Sequence, residues 1–176
     1  MTLRRDRTMG TTMTATQYFK GRLAALARMA NFIAGIALLG TAAAEIWQVF
    51  ARYVLNHSPG WTEPVALFLL NTAMSLGAAA AVRSWSHFGF FILVHQASAP
   101  LRRALEVFAC GVVALVGLAL AVWGAQLLLD GIGIALAGVR LPQSAVFAPM
   151  ALGGALMALF ALERIVTPGA NPTMEH

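Results

Sequence analysis

Glu45 is the residue with the clearest potential for chemistry, because it is an acidic residue inside a long run of apolar residues. A carboxylate is costly inside a membrane, so by default such a residue suggests a proton or ion site. The alternatives are that it pairs with a donor on another helix or on a partner subunit, or that a water-lined crevice solvates it. Gln48 and Arg52 follow at steps of three and four residues, which places the three side chains on one helix face. We favour pairing or partner contact for this group and keep ion coupling as the alternative hypothesis.

The other reactive residue types do not form a pattern typical of an enzyme. A membrane haem needs histidines on facing helices at matching depth, whereas these histidines lie outside the apolar runs: His57, His87 and His95. The lone cysteine, Cys110, lies within an apolar run and is expected to be a small buried hydrophobe. No Ser-His-Asp order, metal-ligand cluster or phosphate-binding glycine loop is present in the sequence. The sequence therefore predicts no enzymatic activity, no metal and no bound cofactor in this chain.

The composition predicts the helices on which these residues lie. Hydrophobic residues make up 59% of the 176 residues and charged residues only 11%, whereas a soluble domain carries about 25% charged residues. A bilayer core is about 30 Å thick and is crossed by about 20 apolar residues in a helix. Four runs have that character, at about residues 29–55, 62–82, 105–129 and 145–166. We predict an all-α integral membrane protein with four transmembrane helices.

Three segments outside the spans complete the predicted organisation. Residues 1–28 form an N-terminal segment, and the mixture of aromatic and basic side chains over 15–28 predicts a short interfacial helix. Between the second and third spans, residues 85–96 are aromatic and apolar but too short to cross, which predicts a second interfacial segment. Residues 167–176 form a polar tail. The start of the first span resembles a signal peptide, and we expect it to stay uncleaved because apolar sequence resumes directly after its small residues.

Two helix starts are marked by their residue types. Thr62 is expected to cap the second span, with Glu63 and Pro64 in its first turn. A carboxylate suits the helix dipole there, and a proline loses no hydrogen bond there. Pro149 either kinks the fourth span or marks its true first turn, and the sequence leaves both possibilities open.

Basic residues predict the orientation of the spans. Six of the twelve Lys and Arg residues lie at or before Arg28, three lie between the second and third spans, and Arg164 ends the fourth. Only Arg52 and Arg140 lie on the other side. Because cytoplasmic segments carry the excess of basic residues, both termini are expected in the cytoplasm. The net charge of +5 therefore indicates orientation, and it predicts no nucleic-acid partner.

Small residues spaced four apart predict close contact between the spans. They form three rows: Ala73, Gly77 and Ala81; Gly117, Ala121 and Ala125; Gly154 and Ala158. Such rows let helix backbones approach each other in lipid, where no hydrophobic force drives association. The polar residues of the second and third spans are expected to form interhelical hydrogen bonds or to mark a helix end: Asn71, Gln126 and Asp130. The rows do not indicate which helix packs against which.

The junction of the first two spans carries a motif of a known transporter family. Its residues appear in the order Gln48-Val49, Arg52-Tyr53, Asn56 and Trp61-Thr62-Glu63. Further matches are Gly77, Arg83 with His87 beyond it, Leu141-Pro142, and Gly153, Leu156 and Met157. Over about residues 46–162 the chain resembles the small membrane subunit, of the DctQ type, of tripartite ATP-independent periplasmic (TRAP) transporters. It departs from the family pattern at Pro64 and in the uncharged residues after His87.

The resemblance implies a small non-catalytic scaffold subunit in the bacterial inner membrane. A large membrane subunit is then expected to carry the substrate and sodium sites, and a periplasmic binding protein to deliver an organic acid. Tyr53 and Trp61 suit the membrane interface, where aromatic rings lie at headgroup level. The candidate interface or structural residues are Glu45, Gln48, Arg52, Tyr53, Trp61, Glu63, Arg83 and His87.

A self-sufficient proton-coupled antiporter using Glu45 is the competing hypothesis. Such proteins also have four helices with one acidic residue in the first, but they are usually shorter and lack a long surface segment between the second and third spans. A membrane anchor for a redox enzyme is a third class, which the placement of the histidines disfavours.

Overall fold

The computed structural model describes residues 5–57, 59–84, 99–136, 138 and 142–166. Within these ranges the chain forms four α-helices, and a short 3-10 helix over Gln143–Phe147 precedes the last. The α-helices are α1 (Arg5–Tyr53), α2 (Thr62–Ser84), α3 (Ala99–Asp130) and α4 (Ala148–Val166).

Each of the four helices supplies a segment that is long and apolar enough to cross a membrane. These segments are Lys20–Tyr53, Thr62–Ser84, Arg103–Asp130 and Gln143–Val166. The described ranges contain no β-strand beyond a single bridge between Ala135 and Pro142. The prediction of an all-α membrane protein with four spans is confirmed.

Two helices are longer than the sequence indicated. α1 is unbroken from Arg5 to Tyr53, about 74 Å at 1.5 Å per residue, so a separate interfacial helix over residues 15–28 is not shown. No proline interrupts this stretch, and its alanines favour a continuous helix. α3 begins at Ala99 rather than near residue 105, with Pro100 in its first turn, where a proline loses no hydrogen bond. The predicted surface segment over residues 85–96 lies outside the described residues.

The four helices lie side by side in the order α1, α2, α4, α3. α2 packs against α1 on one side and against α4 on the other, and α4 also packs against α3. α1 and α3 are therefore the edge helices of a row, since each has one principal neighbour. The helices of the row have two ends, which are named here by their residues. The basic end contains Lys20, Arg83, Arg103 and Arg164, and the turn end contains residues 54–57, 59–61, 131–136, 138 and 142.

A narrow seam of small residues joins α1 to α2. The buried residues of α1 recur every seven positions, at Leu23, Ala30, Ala37, Ala44 and Ala51. Positions four residues after the first four of these are also buried or half-buried: Ala27, Ala34, Thr41 and Gln48. This 4-3 spacing is the seam of a left-handed helix pair. A Cβ built on Gly77 of α2 would lie 3.7 Å from the Cβ of Ala34, which places α2 against this seam.

Two adjacent glycines of α4 bring it into close contact with both of its neighbouring helices. A Cβ built on Gly154 would lie 2.6 Å from the backbone nitrogen of Ala121 and 2.7 Å from the carbonyl oxygen of Gly117. On the other side of α4, a Cβ on Gly153 would lie 2.6 Å from the Cβ of Ser75. The small-residue rows of α3 and α4 therefore pack against each other, and Gly153 brings α4 equally close to α2.

The start of α4 is fixed by the 3-10 helix and by α2. Pro149 is the second residue of α4, so it marks the first turn and does not kink the helix. The side-chain amide of Asn71 in α2 donates a 2.6 Å hydrogen bond to the carbonyl of Val146. This bond holds the 3-10 helix against α2, as the prediction of an interhelical role for Asn71 anticipated.

Candidate interface sites

The turn between α1 and α2 closes α1 with a left-handed residue. Asn56 has φ 52°, a conformation that asparagine tolerates better than most residues. The backbone N–H of His57 then donates a 3.1 Å hydrogen bond to the carbonyl of Ala51, in the last turn of α1. The chain therefore reverses direction within a few residues of Tyr53, and α2 begins beside the end of α1.

Thr62 stabilises this turn, but its side chain does not cap α2 as the sequence predicted. Its side chain is fully buried, and its hydroxyl donates a 2.9 Å hydrogen bond to the carbonyl of Pro59. The first helical hydrogen bond of α2 runs from the N–H of Val65 to the carbonyl of Trp61, at 3.3 Å. Trp61 thus occupies the N-capping position of α2. The hydroxyl of Thr62 bonds the first residue of the helix to the preceding turn. The expected role of Thr62 as the capping residue is wrong in this detail.

Four of the predicted interface residues lie on the surface around this turn. Tyr53 is 79% exposed and Trp61 44% exposed, and both charged residues, Arg52 and Glu63, are exposed as well. Among the described residues, no ion pair joins Arg52 to Glu63. The turn end therefore presents two aromatic rings and two separate charges to its surroundings.

Glu45 and Gln48 lie next to each other on α1 but in different environments. Glu45 is exposed on the surface of the chain, and no described residue forms an ion pair or a hydrogen bond with its carboxylate. Gln48 is half-buried in the seam, and its Oε1 is buried without a hydrogen-bond partner among the described residues. The hypothesis that another helix of this chain supplies the donor for Glu45 is therefore not supported within the part of the chain that the structure describes.

Arg83 joins three helices at the basic end. Its Nη2 donates a 3.3 Å hydrogen bond to the carbonyl of Lys20 in α1 and lies 3.6 Å from Oε1 of Glu163 in α4. Its guanidinium carbon is 5.8 Å from the centre of the Phe160 ring, within cation–π range. Both members of the ion pair are largely buried, with 23% of the Arg83 side chain and 14% of the Glu163 side chain exposed. Arg83 is thus a structural connector in this chain.

The apolar core lies directly beside this ion pair. It consists of Leu23, Ala79, Val82, Phe160 and Ala161, so α1, α2 and α4 all contribute. Val113 and Ala114 of α3 pack against the same cluster. The basic end is therefore the place where all four helices meet around one core.

The side chains at these sites can form helix contacts and ion pairs. Within the described ranges, no three His, Cys, Asp or Glu side chains are close enough together to hold a metal ion. In the described membrane segments, Arg28 and Glu45 of α1 are the acidic or basic residues that lie furthest from the ends of their span, each eight residues inside it.

The sequence of the chain matches the model of one protein family. The family model for the DctQ component of tripartite ATP-independent periplasmic transporters matches residues 41–169. The match covers well over half of the chain, from the second half of α1 to just beyond the end of α4. The chain belongs to the DctQ family. No curated protein matches the chain.

Membership of the DctQ family confirms the resemblance noted at the junction of the first two spans. The matched region includes Gln48, the turn between α1 and α2, and Arg83. This DctQ chain is accordingly a small membrane component of a TRAP transporter, and four candidate spans make it a multi-pass membrane protein.

The sequence did not indicate the partner of Arg83 in this DctQ chain. Glu163 supplies the acidic side of the ion pair, and no pattern in the sequence singled it out. One signal was available, because Arg83 and Glu163 both lie in or near the last turn of spans that end on the same side. His87, the remaining predicted candidate, lies outside the described residues.

Proposed function

We propose that this chain is the non-catalytic scaffold subunit of a sodium-coupled TRAP transporter for an organic acid. The observation that carries the proposal is the distribution of charge along the described spans. Apart from Arg28 and Glu45 of α1, the charged residues lie near the span ends. Arg28 and Glu45 are about 26 Å apart along the helix axis, so they do not converge on one site. Moving an organic anion through a bilayer requires convergent donors or a cation site to replace its hydration. A single exposed carboxylate repels such a substrate and cannot bind it.

The partners follow from the tripartite transporters for which the family is named. A large membrane subunit carries the substrate and sodium sites, and a periplasmic binding protein delivers the organic acid. The scaffold role is supported by the connected packing of α1, α2 and α4 around Arg83, which favours a rigid unit over a moving one. Neighbouring genes are expected to encode the large subunit and a secreted binding protein.

Reconstitution tests this proposal. The purified chain alone in liposomes is expected to take up no organic acid under a sodium or proton gradient, because its spans lack an anion site. Uptake is expected only when the large subunit and the binding protein encoded beside it are added. A large subunit that transports equally well without this chain contradicts the scaffold role.

The same liposomes test the antiporter alternative, which the exposed carboxylate of Glu45 favours. Proton-driven export of a cationic drug by the isolated chain, abolished in Glu45→Gln, would replace the scaffold proposal with the antiporter. Under the scaffold proposal, the isolated chain and the Glu45→Gln variant are equally inactive.

The orientation of the chain is part of the proposal. Because the basic end holds most of the Lys and Arg residues, it is placed in the cytoplasm of a bacterial cell, with both termini there. Alkaline phosphatase fused after Asn56 is expected to be active, and phosphatase fused at the C-terminus is expected to be inactive. A fusion to green fluorescent protein at the C-terminus, fluorescent only in the cytoplasm, is the matched control. An active C-terminal phosphatase contradicts the orientation.

A further inference from the structure

α1 carries a second stripe of helix-packing residues that α2 does not cover. Its members follow the same 4-3 spacing as the buried seam, and all are exposed: Asn31, Gly35, Leu38, Ala42, Glu45, Val49 and Arg52. We call this set the outer stripe. Each member follows a seam residue by one position, so the outer stripe lies about 100° around α1 from the contact with α2. Because α1 is an edge helix with α2 as its principal neighbour, no described helix of this chain covers the outer stripe.

Among the exposed faces of α1, the outer stripe is the one that combines polar residues with small ones inside the span. Asn31, Glu45 and Arg52 belong to it, and a side chain built on Gly35 would meet nothing within 4 Å. The other exposed faces of α1 carry large apolar side chains, which suit lipid: Phe32, Ile36, Leu39, Ile46 and Phe50. Small residues beside polar ones are typical of a helix that another helix approaches closely in a membrane.

The depth of Glu45 makes lipid an unfavourable neighbour for the outer stripe. Along the helix axis Glu45 lies about 10 Å from Arg52 and about 26 Å from Arg28, which places it inside the hydrocarbon region. An ionised carboxylate facing lipid at that depth costs several kcal/mol or more. It requires a hydrogen-bond donor or a cation, and among the described residues of this chain none supplies one.

We propose that the outer stripe is the face on which a helix of the large membrane subunit docks, with a donor or cation of that helix bonded to Glu45. The inference rests on the proposed function and adds the position and chemistry of the contact. Gly35 and Ala42 let the partner backbone approach, and Glu45 fixes the register because its donor must lie at the same depth.

A second copy of this chain does not fit the outer stripe. Two copies share one orientation in the membrane, so a symmetric contact through α1 sets Glu45 against the Glu45 of the other copy. Such a contact brings like charges together, and the nearest described basic residue of the span, Arg52, lies about 10 Å further along the axis. The chemistry therefore points to a different chain.

The other edge of the row lacks this chemistry. The outward side of α3 presents Phe108, Leu115 and Val122, which lipid covers at no cost. Gln126 is exposed there as well, but its amide is neutral and lies near the turn end. The carboxylate of Glu45 therefore favours α1 over α3 as the helix on which the partner docks.

Adjacent alanines provide a matched test. Ala42 and Ala43 are both exposed at nearly the same depth, but Ala42 lies in the outer stripe and Ala43 on the lipid-facing side of α1. A photoreactive benzoylphenylalanine is placed at either position in the full chain, which is co-expressed with the large subunit. We expect Ala42 to cross-link to the large subunit about tenfold more than Ala43. Equal cross-linking from both, or cross-linking of Ala42 to a second copy of this chain, overturns the proposal.

Substitutions at Glu45 provide the second readout. In the assembled transporter, Glu45→Leu is expected to weaken the affinity of the chain for the large subunit about tenfold, or about 1.4 kcal/mol. Glu45→Gln keeps a hydrogen-bonding group and is expected to lose clearly less. Wild-type affinity of both variants overturns the role of Glu45.

The two proposals fail in different ways. If the wild-type chain and the large subunit assemble but Ala42 does not cross-link to it, the docking face is wrong and the scaffold function stands. If the wild-type chain does not assemble with the large subunit at all, the proposed function itself fails.

Discussion

Replacing Gly154 with alanine is expected to destabilise the isolated chain by about 2 kcal/mol or more. The added methyl group would lie 2.6 Å from the backbone nitrogen of Ala121 and 2.7 Å from the carbonyl oxygen of Gly117. Both atoms belong to the backbone of α3, so no side-chain rotation relieves the contact, and α3 and α4 must move apart. The loss is measured as the change in unfolding free energy in mixed detergent micelles.

Gly111 provides the control on the same pair of helices. A Cβ built on Gly111 of α3 would meet nothing within 4 Å. Alanine is the better helix former by about 1 kcal/mol, so Gly111→Ala is expected to be neutral or slightly stabilising. The two substitutions are chemically identical, but only Gly154→Ala is expected to lower the free energy of unfolding. A Gly154→Ala variant as stable as Gly111→Ala contradicts the close crossing of α3 and α4.

Removing Glu163 is expected to cost about 3 kcal/mol, because the guanidinium of Arg83 then loses its counter-charge in a largely buried position. Arg83 also donates a hydrogen bond to the carbonyl of Lys20, so replacing Arg83 removes a polar contact with α1 as well as the ion pair with α4. The single variants Glu163→Leu and Arg83→Met and the double variant form a mutant cycle. The double variant is expected to be more stable than the sum of the two single losses predicts, by about 1–2 kcal/mol.

Arg52→Met is the control for the loss of a basic residue from a helix end. Arg52 is exposed and makes no described ion pair within the chain, so this variant is expected to change the stability of the isolated chain by less than about 0.5 kcal/mol. Strictly additive losses in the cycle contradict the pairing of Arg83 with Glu163. A loss at Arg52 as large as that at Arg83 contradicts the assignment of Arg52 to an exposed face.

The two stability predictions concern the parts of the chain that a scaffold must keep rigid. Gly117 and Gly154 hold α3 against α4, and Arg83 holds α1, α2 and α4 together at the basic end. The outer stripe of α1 lies outside both groups of contacts. Substitutions there are therefore expected to affect assembly with the large subunit without changing the stability of the isolated chain.

The sequence by itself determined the number of spans and the helical class of this protein. A helix that crosses a bilayer must be apolar over about 20 residues, and that requirement is visible in composition alone. The motif from Gln48 to Glu63 also identified the family, because it depends on residue order and not on contacts. Helix ends depend on local backbone geometry as well as on residue type: α1 runs unbroken from Arg5, and the hydroxyl of Thr62 bonds to the carbonyl of Pro59 and does not cap α2.

Only the tertiary structure decided which helices are neighbours and which residues meet. Every span is rich in small residues, so the rows containing Gly117 and Gly154 indicated close packing without naming the partner helix. Likewise, Glu45 and Glu163 are both acidic residues in spans, yet Glu163 meets Arg83 and Glu45 meets no described donor. The physical reason is that apolar periodicity fixes which residues can enter lipid, whereas helix pairing depends on the shapes and charges of two surfaces that lie far apart in sequence.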